Sequence, residues 1–582
     1  MIMKNNGRIT ILIGVFIFLN LLIVIRLFYW QVIKAEELAV LASNQRENIK
    51  KVSAYRGQIM AYDESPLAAN IKNYLLFADL TKIDKNKSDF IARQLAEYFL
   101  SEDEATFSGK QKKEILNEKK EDLRELFTEE GKYWQPLKHR LTEELKKEIE
   151  SLEIEGLGFE PQINRFYPEA SMSAHLLGFV GSNLAGEKVG YFGLEGFYDL
   201  ELKGRQGLLV EEKDAVNLPI ISGLFRKESK RDGRSLVTYV DRSVQAIAED
   251  ELLKGLEKYE AKSGWVVIMD PKTGGIISMA SYPNYESGRY WKYTEMLYKN
   301  PVISEAYEPG STFKVLVMAA AINEKAVTPQ TKCDICHEPY KIDKYTIRTW
   351  NNKYYDDQTM TGVLVHSDNI GMVFTGQKLG KEKLLQYLDD FGFGQKTNVD
   401  LQEEAYPFLK NSNDWSNVDL VTASFGQGLM VTGIQMIRAV SAIANKGNLM
   451  EPHIVHKIIG DTKILEIKPK IVREVISADT ARQMTQMMVQ AVDDGEAKWA
   501  KPKGYKIAGK TGTSQIAVKG HYDEEKTIAS FVGFAPADDP KFAMLVYLRE
   551  PQSSPWGSET AAPLFFKIAK RLFLYYNIPP EE

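Results

Sequence analysis

From Ile9 to Ile25 the chain is almost continuously Ile, Leu, Val and Phe, broken only by Thr10, Gly14 and Asn20. Arg26 interrupts, and Leu27 to Ile33 resumes the apolar, aromatic character. This length predicts a helix spanning the roughly 30 Å hydrocarbon core of a bilayer. Tyr29 and Trp30 fall where an interfacial aromatic belt lies, and Arg26 can reach the same interface by snorkelling. Further on, Ser101 to Glu155 is dense in Lys and Glu, with Leu, Ile and Phe at helical spacing. That pattern predicts solvated amphipathic helices. Lys203 to Arg234 mixes Gly204, Gly207, Gly223 and Gly233 with charges and reads as a connector.

Beyond Arg234 the period changes. Ser235–Val240 is β-type, and Ser243–Lys258 carries Ala, Ile and Leu at helical spacing. Gly264–Met269 and Gly275–Ala280 are β-type runs joined by the turn Asp270-Pro271-Lys272-Thr273-Gly274. A helical middle follows. Then come Lys506–Val518, Ala529–Ala535 and Phe542–Leu548 as strands, and Ala561–Tyr575 as a closing helix. Strands at both ends around a helical middle predict an α+β domain, one antiparallel sheet with helices packed on it.

Composition narrows the class. The 582 residues exceed what one core accommodates, and the 44% apolar content is that of a folded protein. A net charge of -5 offers no basic face for nucleic acid. The seven histidines show no metal-binding spacing, and two cysteines, Cys333 and Cys336, cannot staple so large a chain. In Cys333-Asp334-Ile335-Cys336-His337 a disulfide or two free thiols is the expectation, since a metal needs another ligand from elsewhere. No small-x-small cleavage site follows the apolar run, so it is expected to stay as an anchor. Lys4 and Arg8 precede it, which predicts a cytoplasmic tail and everything from about Lys34 onward outside the membrane.

Three short segments carry chemistry. Ser311 and Lys314, in Pro309-Gly310-Ser311-Thr312-Phe313-Lys314, precede a strongly helical run, so the serine is expected at a helix N-terminus with the lysine one turn on. A serine nucleophile needs a base, and lysine serves when burial or another cation depresses its pKa. Ser367-Asp368-Asn369 places a hydroxyl and a carboxamide one residue apart; a polar helix cap is the plain alternative. Lys-Thr-Gly occurs at Lys272, where turn chemistry accounts for it, and at Lys510. Around Lys510-Thr511-Gly512-Thr513 the expectation is a strand on which Gly512 admits a ligand backbone, Lys510 and the two threonine hydroxyls bind a carboxylate, and Lys510 depresses the pKa of Lys314. Ser-x-x-Lys, Ser-x-Asn and Lys-Thr-Gly in this order are the penicillin-recognising set.

On these motifs the chain resembles class B penicillin-binding proteins over nearly its full length. The likeness extends to Arg56-Gly57-Gln58-Ile59, Pro66-Leu67-Ala68-Ala69-Asn70, Arg165-Phe166-Tyr167-Pro168, Gly193-Leu194-Glu195 and Gly204-Arg205-Gln206-Gly207. It also includes Ser424-Phe425-Gly426-Gln427-Gly428 and Ala444-Asn445-Lys446-Gly447. Asn398-Val399-Asp400-Leu401-Gln402-Glu403 departs from the family's usual form. The resemblance implies a tail at 1–8, a transmembrane anchor at 9–33, an elongated non-catalytic pedestal of the dimerisation type at 34–234, and a transpeptidase domain like that of serine β-lactamases at 235–582. It implies D,D-transpeptidation of peptidoglycan stem peptides through a Ser311 acyl-enzyme, with β-lactams as inhibitors and no cofactor. Lys314 is then the base, Ser367 and Asn369 assist, Lys510 to Thr513 hold the substrate carboxylate, and the N–H groups of Ser311 and Thr513 form the oxyanion hole. It further implies a polytopic glycan polymerase of the SEDS family and other division or elongation membrane proteins as partners, with the septal type favoured over elongation. Two rivals remain: a membrane-anchored serine β-lactamase, and a β-lactam sensor or inactive divisome scaffold.

Overall fold

The computed structural model describes residues 6–101, 109–129, 131–212, 225–518 and 521–581. Lys4, Gly223 with the rest of 213–224, and 102–108 of the charged helical region lie outside the described residues. The chain divides into two compact units, 1–55 with 203–233, and 56–202 with 234–582.

In the first unit a helix over Asn6–Phe28 runs into a π-turn, Tyr29–Ile33. The 27 residues Gly7–Ile33 bury nothing within the protein, and among the described residues only they are long and apolar enough to cross a membrane. At 1.5 Å per residue they reach about 40 Å. The Arg26 guanidinium lies over the Trp30 ring at 5.0 Å, keeping its charge beside the aromatic end of the helix. The segment read as a connector is not simply loop. Gly207–Glu212 pairs antiparallel with both Glu47–Val52 and Phe225–Glu228 in a three-stranded sheet. Turn residues at its borders masked the strand Gly207-Leu208-Leu209-Val210.

The second unit begins with a long strand, Pro66–Asp79, paired with Leu157–Phe166 and Trp134–Leu141. Helices Ser88–Ser101, Gly109–Thr128 and Glu143–Glu150 form as their amphipathic spacing predicts, burying Ile91, Leu95, Leu123, Phe127 and Leu145 against Leu76. The strand Trp134–Leu141 corrects the expectation of helices throughout this region. Ser235–Thr238 lies between Ile59–Met60 and Val455–Ile459, so a single sheet carries on past residue 235. Three family-like segments converge beside it. Glu195 is fully buried; its carboxylate accepts from Arg56 Nε at 2.6 Å and Arg165 Nε at 2.5 Å, and Arg56 Nη1 donates to Asp199 at 2.7 Å. Asp400, in the departing segment, is buried and accepts from the N–H groups of Ile454 and Val455 and from the Tyr198 hydroxyl.

The rest of the unit is built on five antiparallel strands: β1 (Ser263–Met269), β2 (Ile276–Tyr282), β3 (Ala508–Val518), β4 (His521–Ala535) and β5 (Phe542–Arg549), in the order β2-β1-β5-β4-β3. Alternation sends Val266 and Ile268 to one face and Trp265, Val267 and Met269 to the other. The first face is covered by α1 (Arg242–Tyr259) and the C-terminal helix Ala561–Tyr575. The second is covered by the helical middle, including α2 (Lys314–Asn323), α3 (Asn369–Leu379) and α4 (Ala478–Asp493). The fold is α+β, as the sequence predicts. It leaves β3 at an edge of the sheet, beside the start of α2.

Candidate active site

Gly310–Phe313 form a 3₁₀ turn that runs directly into α2. Gly310 has φ +54°, and a Cβ there would stand 2.8 Å from the Thr513 carbonyl oxygen. Only glycine lets this turn seat against β3. Ser311 is half-buried and lines a cleft of about 290 Å³. Lys314, the first residue of α2, is wholly buried.

The Lys314 ammonium nitrogen donates to the Ser367 carbonyl at 2.6 Å and to Asn369 Oδ1 at 2.7 Å, with Ser367 Oγ at 3.5 Å. The cap reading and the cleft reading of Ser367-Asp368-Asn369 both hold. Asp368 caps α3, accepting from the Ile370 N–H at 2.7 Å, while Ser367 and Asn369 line the cleft. Ser367 sits in the left-handed region at φ +55°, a conformation unfavourable to a residue with a Cβ.

On β3 the two-residue period sets Thr511, Thr513 and Gln515 along the cleft. Lys510 is buried, and its Nζ donates to Thr511 Oγ1 at 3.2 Å. Thr513 Oγ1 accepts from the Gly557 N–H at 3.0 Å. Gly512 has a packing role. A Cβ there would meet Ser530 Oγ at 2.5 Å and Thr312 Cγ2 at 2.7 Å, so glycine is needed to pack β3 against the Ser311 turn. Lys272 remains in its exposed turn, paired with Asp539 at 2.6 Å.

Burial, and then the Lys510 charge, hold the Lys314 pKa well below the usual lysine range, against the pull of Asp368 and Glu496. Burial brings Lys510 down to about 8, with Glu496 opposing. Glu496 was not singled out from sequence. It follows α4 in Asp494-Gly495-Glu496, opens on the same cleft, and has its pKa raised by burial while the two lysines pull it down. Trp350 and Trp556, also on the cleft wall, were equally silent. Cys333 and Cys336 are disulfide-bonded to each other.

A serine and a buried lysine one turn apart, facing a Lys-Thr-Gly edge strand across a shared cleft, define the class of the serine–lysine acyltransferases. Residues 264–570 match the penicillin-binding protein transpeptidase domain, and residues 51–238 match the penicillin-binding protein dimerisation domain. The chain belongs to the penicillin-binding protein family. It is 33% identical to stage V sporulation protein D of Bacillus subtilis over 577 residues, covering 98% of this chain and 86% of that one. It is 30% identical to the peptidoglycan D,D-transpeptidase FtsI of Escherichia coli over 437 residues, 74% of this chain and 71% of that one. Penicillin-binding protein 2X from Streptococcus thermophilus shares the fold at a TM-score of 0.72 and 22% identity, over 91% of this chain and 80% of that one.

Proposed function

We propose that Ser311 is the acylated nucleophile and Lys314 its base. The chain is a peptidoglycan D,D-transpeptidase that binds β-lactams. The carrying observation is Lys314: fully buried, tied to Ser367 and Asn369, and beside a second buried cation. Such a lysine gives up its proton far more readily than a solvated one and can accept that of Ser311. Ser311 Oγ attacks the penultimate D-Ala carbonyl, and the oxyanion is held by the N–H groups of Ser311 and Thr513. The proton passes from Lys314 through Ser367 Oγ to the departing D-Ala nitrogen. Asn369 holds the substrate amide, while Lys510, Thr511 and Thr513 receive the terminal carboxylate and Gly512 keeps their strand close to Ser311. An amine of a second stem peptide then displaces Ser311.

In this reading residues 1–8 form the cytoplasmic tail, 9–33 the anchor, 34–234 the pedestal and 235–582 the transpeptidase domain, which lies outside the membrane. We favour septal division, beside a SEDS-family polymerase, on the Glu-Pro-Gly-Ser-Thr and Lys-Thr-Gly-Thr forms. The test is incubation with a polymerised donor bearing D-Ala-D-Ala stems. Release of D-alanine together with cross-linked dimers is expected. Rapid turnover of a chromogenic cephalosporin, instead of one stable acylation, overturns the reading in favour of a β-lactamase. Depletion yielding round cells instead of filaments overturns the septal assignment.

A further inference from the structure

The mechanism above uses the cationic side of the cleft and leaves a second group of side chains unexplained. Among the described residues lining the cleft, Glu496 supplies the one carboxylate. Its side chain opens on the cleft; the protein around it raises its pKa, and the Lys510 and Lys314 charges pull it back towards the charged form. Beside it stand two indoles. The Trp350 Nε1 donates to the His366 carbonyl at 3.3 Å, and Trp350 and Glu496 line the same cleft. The Trp350 and Trp556 rings meet edge-on, with centroids 5.1 Å apart. Both remain open to the cleft, at 39% and 36% exposure. Large indoles left unburied in a concave site need a ligand or a partner to account for them.

A carboxylate flanked by exposed aromatic faces is chemistry suited to an ammonium group, combining ionic attraction with the ring quadrupole. We propose that Glu496, Trp350 and Trp556 form an ammonium subsite that captures the acceptor amine of the second half-reaction. The inference rests on the transpeptidase reading and deepens it. An amine reaching this cleft at neutral pH carries a proton, and the Lys510 charge repels it. Glu496 and the indoles offset that repulsion and favour the amine over water. The bound ammonium then gives one proton to neutral Lys314. Its nitrogen attacks the Ser311 acyl carbon, the C–N bond forms, and the C–Oγ bond breaks. The second nitrogen proton goes to Ser311 Oγ, restoring the hydroxyl, and Lys314 returns its proton to solvent.

The test uses the full-length protein in detergent with an N-acyl-D-alanyl thioester donor at about pH 7.5. Two acceptors compete with water: Nα-acetyl-lysine amide, cationic at that pH, and hydroxylamine, uncharged. Glu496→Gln is expected to lower the lysine-amide transfer-to-hydrolysis ratio about tenfold relative to the hydroxylamine ratio, the size of one charge-assisted contact. Glu496→Asp is expected to recover part of the loss. In the unmodified protein, tetramethylammonium chloride should suppress lysine-amide transfer more than sodium chloride at equal ionic strength, while sparing hydroxylamine capture. Equal effects on both acceptors, or none in either experiment, overturn the subsite. Labelling of Ser311 by a fluorescent penicillin is read separately, so its failure indicts the transpeptidase reading instead.

Discussion

Replacing Lys510 with arginine separates two tasks assigned to one charge. Lys510 is to bind the substrate carboxylate as an ammonium, and its charge helps keep Lys314 unprotonated. Its pKa stands at about 8 because it is buried. Carboxylate recognition therefore weakens as pH rises through about 8, and at pH 9 only about one-tenth of the enzyme retains the ammonium. Acylation first rises with pH as Lys314 loses its proton, at a pKa depressed from the usual lysine value, and then falls as Lys510 deprotonates. Arginine stays charged across this range. In Lys510→Arg the alkaline limb should vanish while the acid limb stays where it was, because the charge facing Lys314 is preserved. The whole profile will sit lower if the larger guanidinium fits poorly, but amplitude and shape are read separately. The assay is second-order acylation by a fluorescent penicillin between about pH 6 and 10, corrected for spontaneous β-lactam hydrolysis. An alkaline fall persisting near pH 8 in the arginine variant would refute the assignment of that limb to Lys510.

Lys314→Met keeps the buried stem and removes the base, so acylation should drop by about 10²–10⁴-fold, with a melting temperature shifted by only a few degrees. Glu195→Gln leaves Arg165 buried without its counter-charge and Arg56 with Asp199 alone; a loss of about 3–5 kcal/mol is expected in denaturant unfolding. Gly512→Ala forces Thr312 and Ser530 aside, so penicillin acylation should fall with little change in overall secondary structure by circular dichroism.

Much of the site is readable from sequence because its parts are local. The Pro309-Gly310 break, the helical run after Lys314 and the small residues around Lys510 each report their own backbone, and the fold brings those segments together at one cleft. What sequence hides is long-range. Trp134–Leu141 carries Lys138 and Arg140 within a Lys- and Glu-rich region, so it reads as helix; its strand state is imposed by pairing with Pro66–Asp79. Arg56, Arg165 and Glu195 look like isolated motif residues until the fold joins them. Gly512 announces a close approach but not its packing partners, Thr312 and Ser530. Glu496 stands in a short acidic turn indistinguishable from a solvated surface, and only the folding of α4 against β3 brings it to the cleft.

The central claim, that Ser311 is the acylated nucleophile, is tested most directly by mapping a penicillin adduct. After brief exposure to benzylpenicillin, intact mass should rise by one penicilloyl group. Trypsin should then yield the peptide Asn300–Lys314 carrying that mass, with fragmentation locating it on Ser311 and not on Ser304. An adduct on any other residue, or none in folded protein, would contradict the account.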